Sequence, residues 1–147
     1  MGNKIERVID GQRIWTDEAT SARLGRIPQT GTKPELAVRR LVYSLGHRYR
    51  VANRDLPGSP DIANRSRRWA IFVHGCYWHR HPGCARATTP TRNRDFWLSK
   101  FDRNTERDRE AISSLERVGF RVLVVWECDV APGGLAVEHV RAFLGRQ

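Results

Sequence analysis

With 147 residues, 39% of them hydrophobic and 29% charged, the chain has the make-up of one soluble globular domain with a single core, not of a disordered or fibrous protein. No apolar run approaches the roughly 20 residues that span a bilayer, and Met1–Asp10 alternates charge with lone Ile and Val. Neither a membrane span nor a secretory segment is expected, and the chain reads as cytoplasmic. A count of 26 Lys and Arg against 16 Asp and Glu leaves a formal charge of +10, which favours polyanionic partners, because neutralised phosphates release condensed counterions.

Taken in chain order, the first 15 residues are expected as a flexible segment ahead of a single domain over 16–147, with no repeat or low-complexity linker. Thr32-Lys33-Pro34-Glu35 predicts a helix start, with Thr32 as N-cap and Glu35 in the capping-box position. That helix carries Leu36, Val38, Leu41, Val42 and Leu45 and stops at Gly46. Arg48–Asn53 reads as a short strand, Leu56–Pro60 as a tight turn, and Asp61-Ile62-Ala63 as the opening of a second strand. Trp69–Val73 is a buried strand, and Cys76–Asn93 a long loop broken by Pro82, Gly83 and Pro90. Arg94–Val118 is the strongest helix, with Trp97, Phe101, Ile112, Leu115 and Val118 on its apolar stripe. Arg121–Trp126, rich in Val, predicts a central strand covered on both faces, and Leu135–Leu144 a closing helix. The order implies an α/β fold, a mixed sheet flanked by helices.

Three cysteines cannot all pair as disulfides, and thiols in such a chain stay reduced, so metal binding is the reading to test. Cys76, His81 and Cys84 fall within nine residues, and Cys128 follows the Val-rich strand. Three thiolates and one imidazole suit tetrahedral zinc. His74 and His79 compete with His81 for the fourth place, and Cys128 could instead be a plain core thiol.

Asp61 follows Pro60 at a strand start, where Pro-Asp…(Asp/Glu)-x-Lys nucleases carry their first acid. Such enzymes hold Mg²⁺ with acids at neighbouring strand ends. Here the next strand reads Ile71-Phe72-Val73-His74, without a second acid or a Lys, so a backbone carbonyl would have to supply a ligand and another group the base. His79 is a natural general base near neutral pH. Asp108 shares the inward stripe of the long helix and can orient such a base or pair with an Arg. Tyr77, Trp78 and Trp97 are either core or wedges that unstack base steps.

Asp55-Leu56-Pro57-Gly58-Ser59-Pro60-Asp61, Phe72-Val73-His74-Gly75-Cys76-Tyr77-Trp78-His79, Arg94-Asp95-Phe96-Trp97 and Val124-Val125-Trp126-Glu127-Cys128 together resemble the very-short-patch repair (Vsr) endonucleases. The resemblance runs in order from about Thr16 to Cys128. It implies a restriction-endonuclease-like core with a structural zinc, nicking one strand 5′ to the thymine of T:G mismatches left by deamination of 5-methylcytosine. By the same resemblance Asp61 binds Mg²⁺ together with the Val73 backbone carbonyl, at a position where some members have Thr. His79 matches the catalytic histidine, His74 a second active-site histidine, Asp108 the supporting carboxylate, and Glu35 the glutamate of the first helix. Cys76, His81, Cys84 and Cys128 match the zinc ligands, with Pro82-Gly83 widening the loop. Tyr77, Trp78 and Trp97 match the intercalating aromatics, Tyr keeping the stacking face of Phe. The implied partners are duplex DNA with a T:G mismatch and other mismatch-repair proteins, met by a nucleoid-associated monomer. Two other readings stand beside it: a restriction or defence nuclease on the same scaffold without a mismatch requirement, and a zinc-stapled DNA-binding module without chemistry.

Overall fold

The central strand of the only sheet that organises the described core is β4 (Trp69–His74), flanked by β3 (Ile62–Asn64) and β5 (Arg121–Trp126) in the order β3–β4–β5. The computed structural model describes residues 4–27 and 30–146. β3 pairs antiparallel to β4 with Ile62 opposite Ile71, and β5 pairs parallel to β4 with His74 opposite Trp126. The long connection a parallel pair needs is supplied by the loop after β4 and by helix α3 (Arg94–Arg117).

Helices α2 (Lys33–Ser44) and α5 (Ala136–Leu144) cover one face of the sheet, where Val38, Val42, Val140 and Leu144 pack on Ile62, Ile71 and Val125. α3 covers the other, with Ala111 and Leu115 against Ala63, Ala70 and Phe72. Thr32 caps α2, its hydroxyl accepting from the Glu35 N–H at 3.4 Å. The Glu35 carboxylate reaches back one residue further than a capping box requires, to the Gly31 N–H at 2.8 Å. Leu36, expected on the apolar stripe, and Val118, past the end of α3, are both exposed.

Three expectations change. β5 is covered on both faces, Val122 and Val124 on one and Leu123 and Val125 on the other, but it lies at the sheet edge, and β4 is central. The Arg48–Asn53 strand is reduced to one antiparallel bridge, Arg50 to Ala63. The segment ahead of residue 16 is structured from Lys4 onward: β1 (Lys4–Ile9) and β2 (Gln12–Asp17) form an antiparallel hairpin, followed by α1 (Glu18–Gly25). Met1–Asn3 and Gln147 of the expected segments lie outside the described residues. A boundary at residue 16 would therefore cut β2. Asp10 and Gly11 both take positive φ, 50° and 77°, as the tight turn of a twisted hairpin demands. A short helix after β5, α4 (Glu127–Val130), is the other unanticipated element.

Candidate active site and metal centre

The sheet register brings the site together. Asp61 lies one residue ahead of β3, so antiparallel pairing sets it opposite the end of β4, where its Oδ2 accepts from the Val73 N–H at 2.6 Å. Burial, and then the charge of Glu35, push the Asp61 carboxyl up to about 6, against the pull of the Val73 N–H and of His79 and Arg39. Glu35 is buried, accepts from Gly31 and pairs with Arg39 at 3.5 Å, one turn along α2.

His74 ends β4 and His79 follows five residues later, their rings stacked with centroids 3.9 Å apart and planes 5° from parallel. His79 Nδ1 lies 2.6 Å from Asp108 Oδ2. A carboxylate that accepts the Nδ1 hydrogen leaves Nε2 as the working nitrogen. His74 Nε2 is 3.9 Å from the other oxygen of Asp108. Burial, and then the neighbouring His79, bring the His74 imidazole down to about 4, so it is neutral at pH 7 and its contact with Asp108 is not an ion pair. A cleft of about 200 Å³ is lined by Glu35, Asp61, Val73, His74, His79 and Asp108 together. Every sequence-predicted candidate for catalysis therefore converges here.

The fit of a divalent cation is visible in the donor set. A half-buried carboxyl raised to about 6, with a second buried acid beside it, concentrates negative charge that a bound cation would offset. Hard oxygen donors of this kind suit Mg²⁺. His74, His79 and Asp108 also place one ligand atom each within 4.8 Å of one another.

The cysteine cluster forms for a second topological reason. β4 and β5 are parallel and His74 is level with Trp126, so Cys76 and Cys128, each two residues further on, emerge side by side. His81 Nδ1 lies 3.6 Å from the Cys76 Sγ and 3.3 Å from the Cys128 Sγ. The four donor atoms of Cys76, His81, Cys84 and Cys128 all lie within 4.8 Å of one another. His81, not His74 or His79, thus joins the thiols, its ring stacked on Trp126 at 4.3 Å. Burial pushes the Cys76 thiol up to about 12, while the Arg86 backbone N–H holds the Cys84 thiol below its usual range. Three sulfurs and an imidazole at this separation fit a tetrahedral soft-metal centre.

Tyr77, Trp78, Trp97 and Phe101 form one aromatic cluster, Trp78 to Trp97 at 5.9 Å. Tyr77 and Trp78 are half-buried, but Trp97 is 6% exposed, with Ile14 of β2 buried in the same cluster. A groove of about 780 Å³ runs from the cleft between the hairpin and α3.

Three residues that sequence reasoning missed hold this architecture. The Arg80 guanidinium lies 4.1 Å over the Phe101 ring and donates to the carbonyls of Tyr77, Ala87 and Thr88, pinning the long loop. Asn104 donates to the Trp78 carbonyl at 3.2 Å. Glu127 accepts from the Cys76 N–H at 3.1 Å, and only it carried a signal, an acid next to a candidate ligand.

A histidine oriented by a carboxylate, beside two buried or half-buried acids, in a chain of charge +10, fits a hydrolase for phosphodiesters. Residues 12–86 match the family described as DNA mismatch endonuclease Vsr. The chain is 42% identical over 113 residues to the DNA mismatch endonuclease Vsr of Escherichia coli (strain K12), covering 76% of this chain and 72% of that protein. It is 41% identical over 119 residues to the type II nicking enzyme V.XorIIP of Xanthomonas oryzae pv. oryzae, covering 81% and 87%. It is 39% identical over 127 residues to the type II nicking enzyme V.NmeAIP of Neisseria meningitidis serogroup A, covering 86% and 90%. The chain belongs to the Vsr family of DNA mismatch endonucleases and is a nuclease. None of the described helices is long and apolar enough to cross a membrane.

Proposed function

We propose that this nuclease nicks one strand of duplex DNA 5′ to the thymine of a T:G mismatch, with Mg²⁺ at the cleft and a structural Zn²⁺ in the cysteine cluster. The observation that carries the reading is the His79–Asp108 pair, 2.6 Å apart, in one cleft with Asp61. His79 Nε2 takes the proton of the attacking water. Asp108 holds the ring and stabilises the imidazolium that results. His74, buried, neutral and stacked on His79 at the wall of the cleft, keeps that ring in place. Asp61 and the Val73 carbonyl would hold Mg²⁺, with Glu35 adding negative charge nearby. When bound, the cation neutralises charge on the phosphoryl oxygens and on the leaving oxygen. Cys76, His81, Cys84 and Cys128 would hold zinc with no place left for water, which makes that centre a staple.

Tyr77 and Trp78, with Trp97 once uncovered, would form the wedge. Opening a base step costs less where stacking is already poor, so the wedge converts deformability into selectivity. The acting unit is proposed as one endonuclease domain that includes the β1–β2 hairpin, a nucleoid-associated monomer that works with other mismatch-repair proteins. The Xanthomonas and Neisseria relatives are named type II nicking enzymes, without mention of a mismatch, and this supports one second reading, nicking on the same scaffold without a mismatch requirement.

One experiment separates these. Paired T:G and T:A duplexes are assayed with wild type, Asp61→Ala and Trp78→Ala. Asp61→Ala is expected to bind and not cut, and Trp78→Ala to narrow the T:G preference. Cutting by Asp61→Ala would place the metal elsewhere, and equal cutting of both duplexes by wild type would favour the second reading.

A further inference from the structure

Three cations share one face of α3: Lys100, Arg103 and Arg107, at i, i+3 and i+7. Lys100 and Arg107 line the groove, and Arg107 lines the catalytic cleft as well. Two of the three are met by a single carboxylate from the far end of the chain. Asp10, in the turn of the hairpin, accepts from Lys100 Nζ at 2.6 Å and lies 3.7 Å from Arg103 Nη2. The charges of Lys100, Arg103 and Arg107 all hold the Asp10 carboxyl below the usual carboxylate range, the Lys100 hydrogen bond most of all.

The cations are undersatisfied by this one acid. Arg103 Nη2 is buried without a hydrogen-bond partner. Arg107 is exposed and forms no ion pair among the described residues. The hairpin that carries Asp10 is otherwise fastened near its far end, by Arg92 to Asp17 at 2.9 Å and by Asn93 to the Trp15 carbonyl at 3.0 Å. At the tip Ile9 packs against the Trp97 cluster, and the Asp10 carboxylate is the polar tie to α3.

We propose that this face of α3 is a seat for the DNA backbone, and that Asp10 at the hairpin tip occupies the seat in the free protein until phosphates displace it. Three charges spaced along a helix match a row of phosphates better than they match one carboxylate. The inference rests on the DNA-acting reading above, but on none of its catalytic assignments.

The test is binding of the full chain to a fully paired, fluorescently labelled duplex across a salt series in magnesium-free buffer. Asp10→Asn is expected to tighten binding about two- to fivefold, the span that release of a surface ion pair provides. Asp102→Asn makes the same charge change two residues from Lys100 on another face of α3, and is expected to stay within about 1.5-fold of wild type. Arg103→Gln and Arg107→Gln are each expected to weaken binding and lower the slope of log Kd against log salt by about one. If Asp10→Asn loosens the whole hairpin, the seat is freed all the same and binding still tightens. Asp10→Asn no tighter than Asp102→Asn overturns the displacement. Wild-type slopes in both Arg variants overturn the seat. Nicking by Asp61→Ala would count against the catalytic assignments and leave these binding results untouched.

Discussion

Gly58 tests how closely the turn that delivers Asp61 must approach α3. Its φ is +71°, and a Cβ built there would collide with the Cβ of Ala111 and fall 3.2 Å from the Phe72 ring. Neither neighbour can yield cheaply, since Ala111 is helix and Phe72 is the packed centre of the sheet. An alanine in the left-handed region costs about 1–2 kcal/mol, and forcing a methyl into a filled contact costs about 1–3 kcal/mol more. Gly58→Ala should thus lose about 2–5 kcal/mol. For 147 residues each kcal/mol moves Tm by about 3 °C, which sets the expected drop at about 6–15 °C. Gly46 is the control. It ends α2 at φ +85° with nothing within 4 Å of its Cβ position, so Gly46→Ala should pay only the conformational cost, about 3–6 °C. Thermal unfolding of both variants followed by circular dichroism reads the difference. If Gly58→Ala melts no lower than Gly46→Ala, the turn does not rest on α3 as described. Nicking by Gly58→Ala should also fall at temperatures where it is fully folded, because the same turn carries Pro60 and Asp61 to the cleft.

The raised Asp61 pKa gives a stability test in metal-free buffer. Between the ordinary value of 3.8 and about 6 the native carboxyl keeps a proton that the unfolded chain has released, so this group's contribution falls as pH rises through that window. Asp61→Asn should be more stable than wild type at pH 7.5, with the gap closing by pH 4; a gap independent of pH would refute the shift. His74, held down to about 4, should contribute fully above 6.5 and lose that contribution as pH falls through about 4. A histidine resonance titrating near 4 and lost in His74→Ala checks this. The cysteine cluster should carry one zinc per chain by elemental analysis, and Cys128→Ala should cost at least about 3 kcal/mol, near 10 °C in Tm; a folded, metal-free wild type would refute the site.

Much of this was legible because local signals and burial agree. Thr32, Pro34 and the apolar spacing fix α2 within a residue, and the long apolar stripe fixes α3. What failed was whatever depends on partners distant in sequence. β1 and β2 alternate charged and half-buried residues without a continuous apolar face, and they stay in place through contacts such as Asp10 with Lys100, 90 residues apart. The Asp10-Gly11 pair between two β-branched stretches was the available hairpin signal. Arg121–Trp126 looks central because both its faces are apolar, yet strand order is a property of pairing, which periodicity does not encode. Spacing could not choose among His74, His79 and His81. The fold chooses, by turning Nδ1 of His81 toward the thiols and Nδ1 of His79 toward Asp108.

That choice follows from the end of one strand. His74 is the last residue of β4, and the next ten residues hold His79, His81, Cys76 and Cys84. Cys76 and His81 are tied to Cys128 beyond β5, and His79 and Asn104 tie the same loop to α3. The loop is therefore clamped on both sides, and the His79 ring, proposed as the base, sits between the clamps. Without a metal the β5 side would be held only by the Glu127 bond to the Cys76 N–H and the stack of His81 on Trp126, and the backbone that sets the approach of His79 to Asp61 would loosen. A metal held by the cysteine cluster would in this way set the rate of cutting through the position of one imidazole, and its loss should leave binding by the cations of α3 in place.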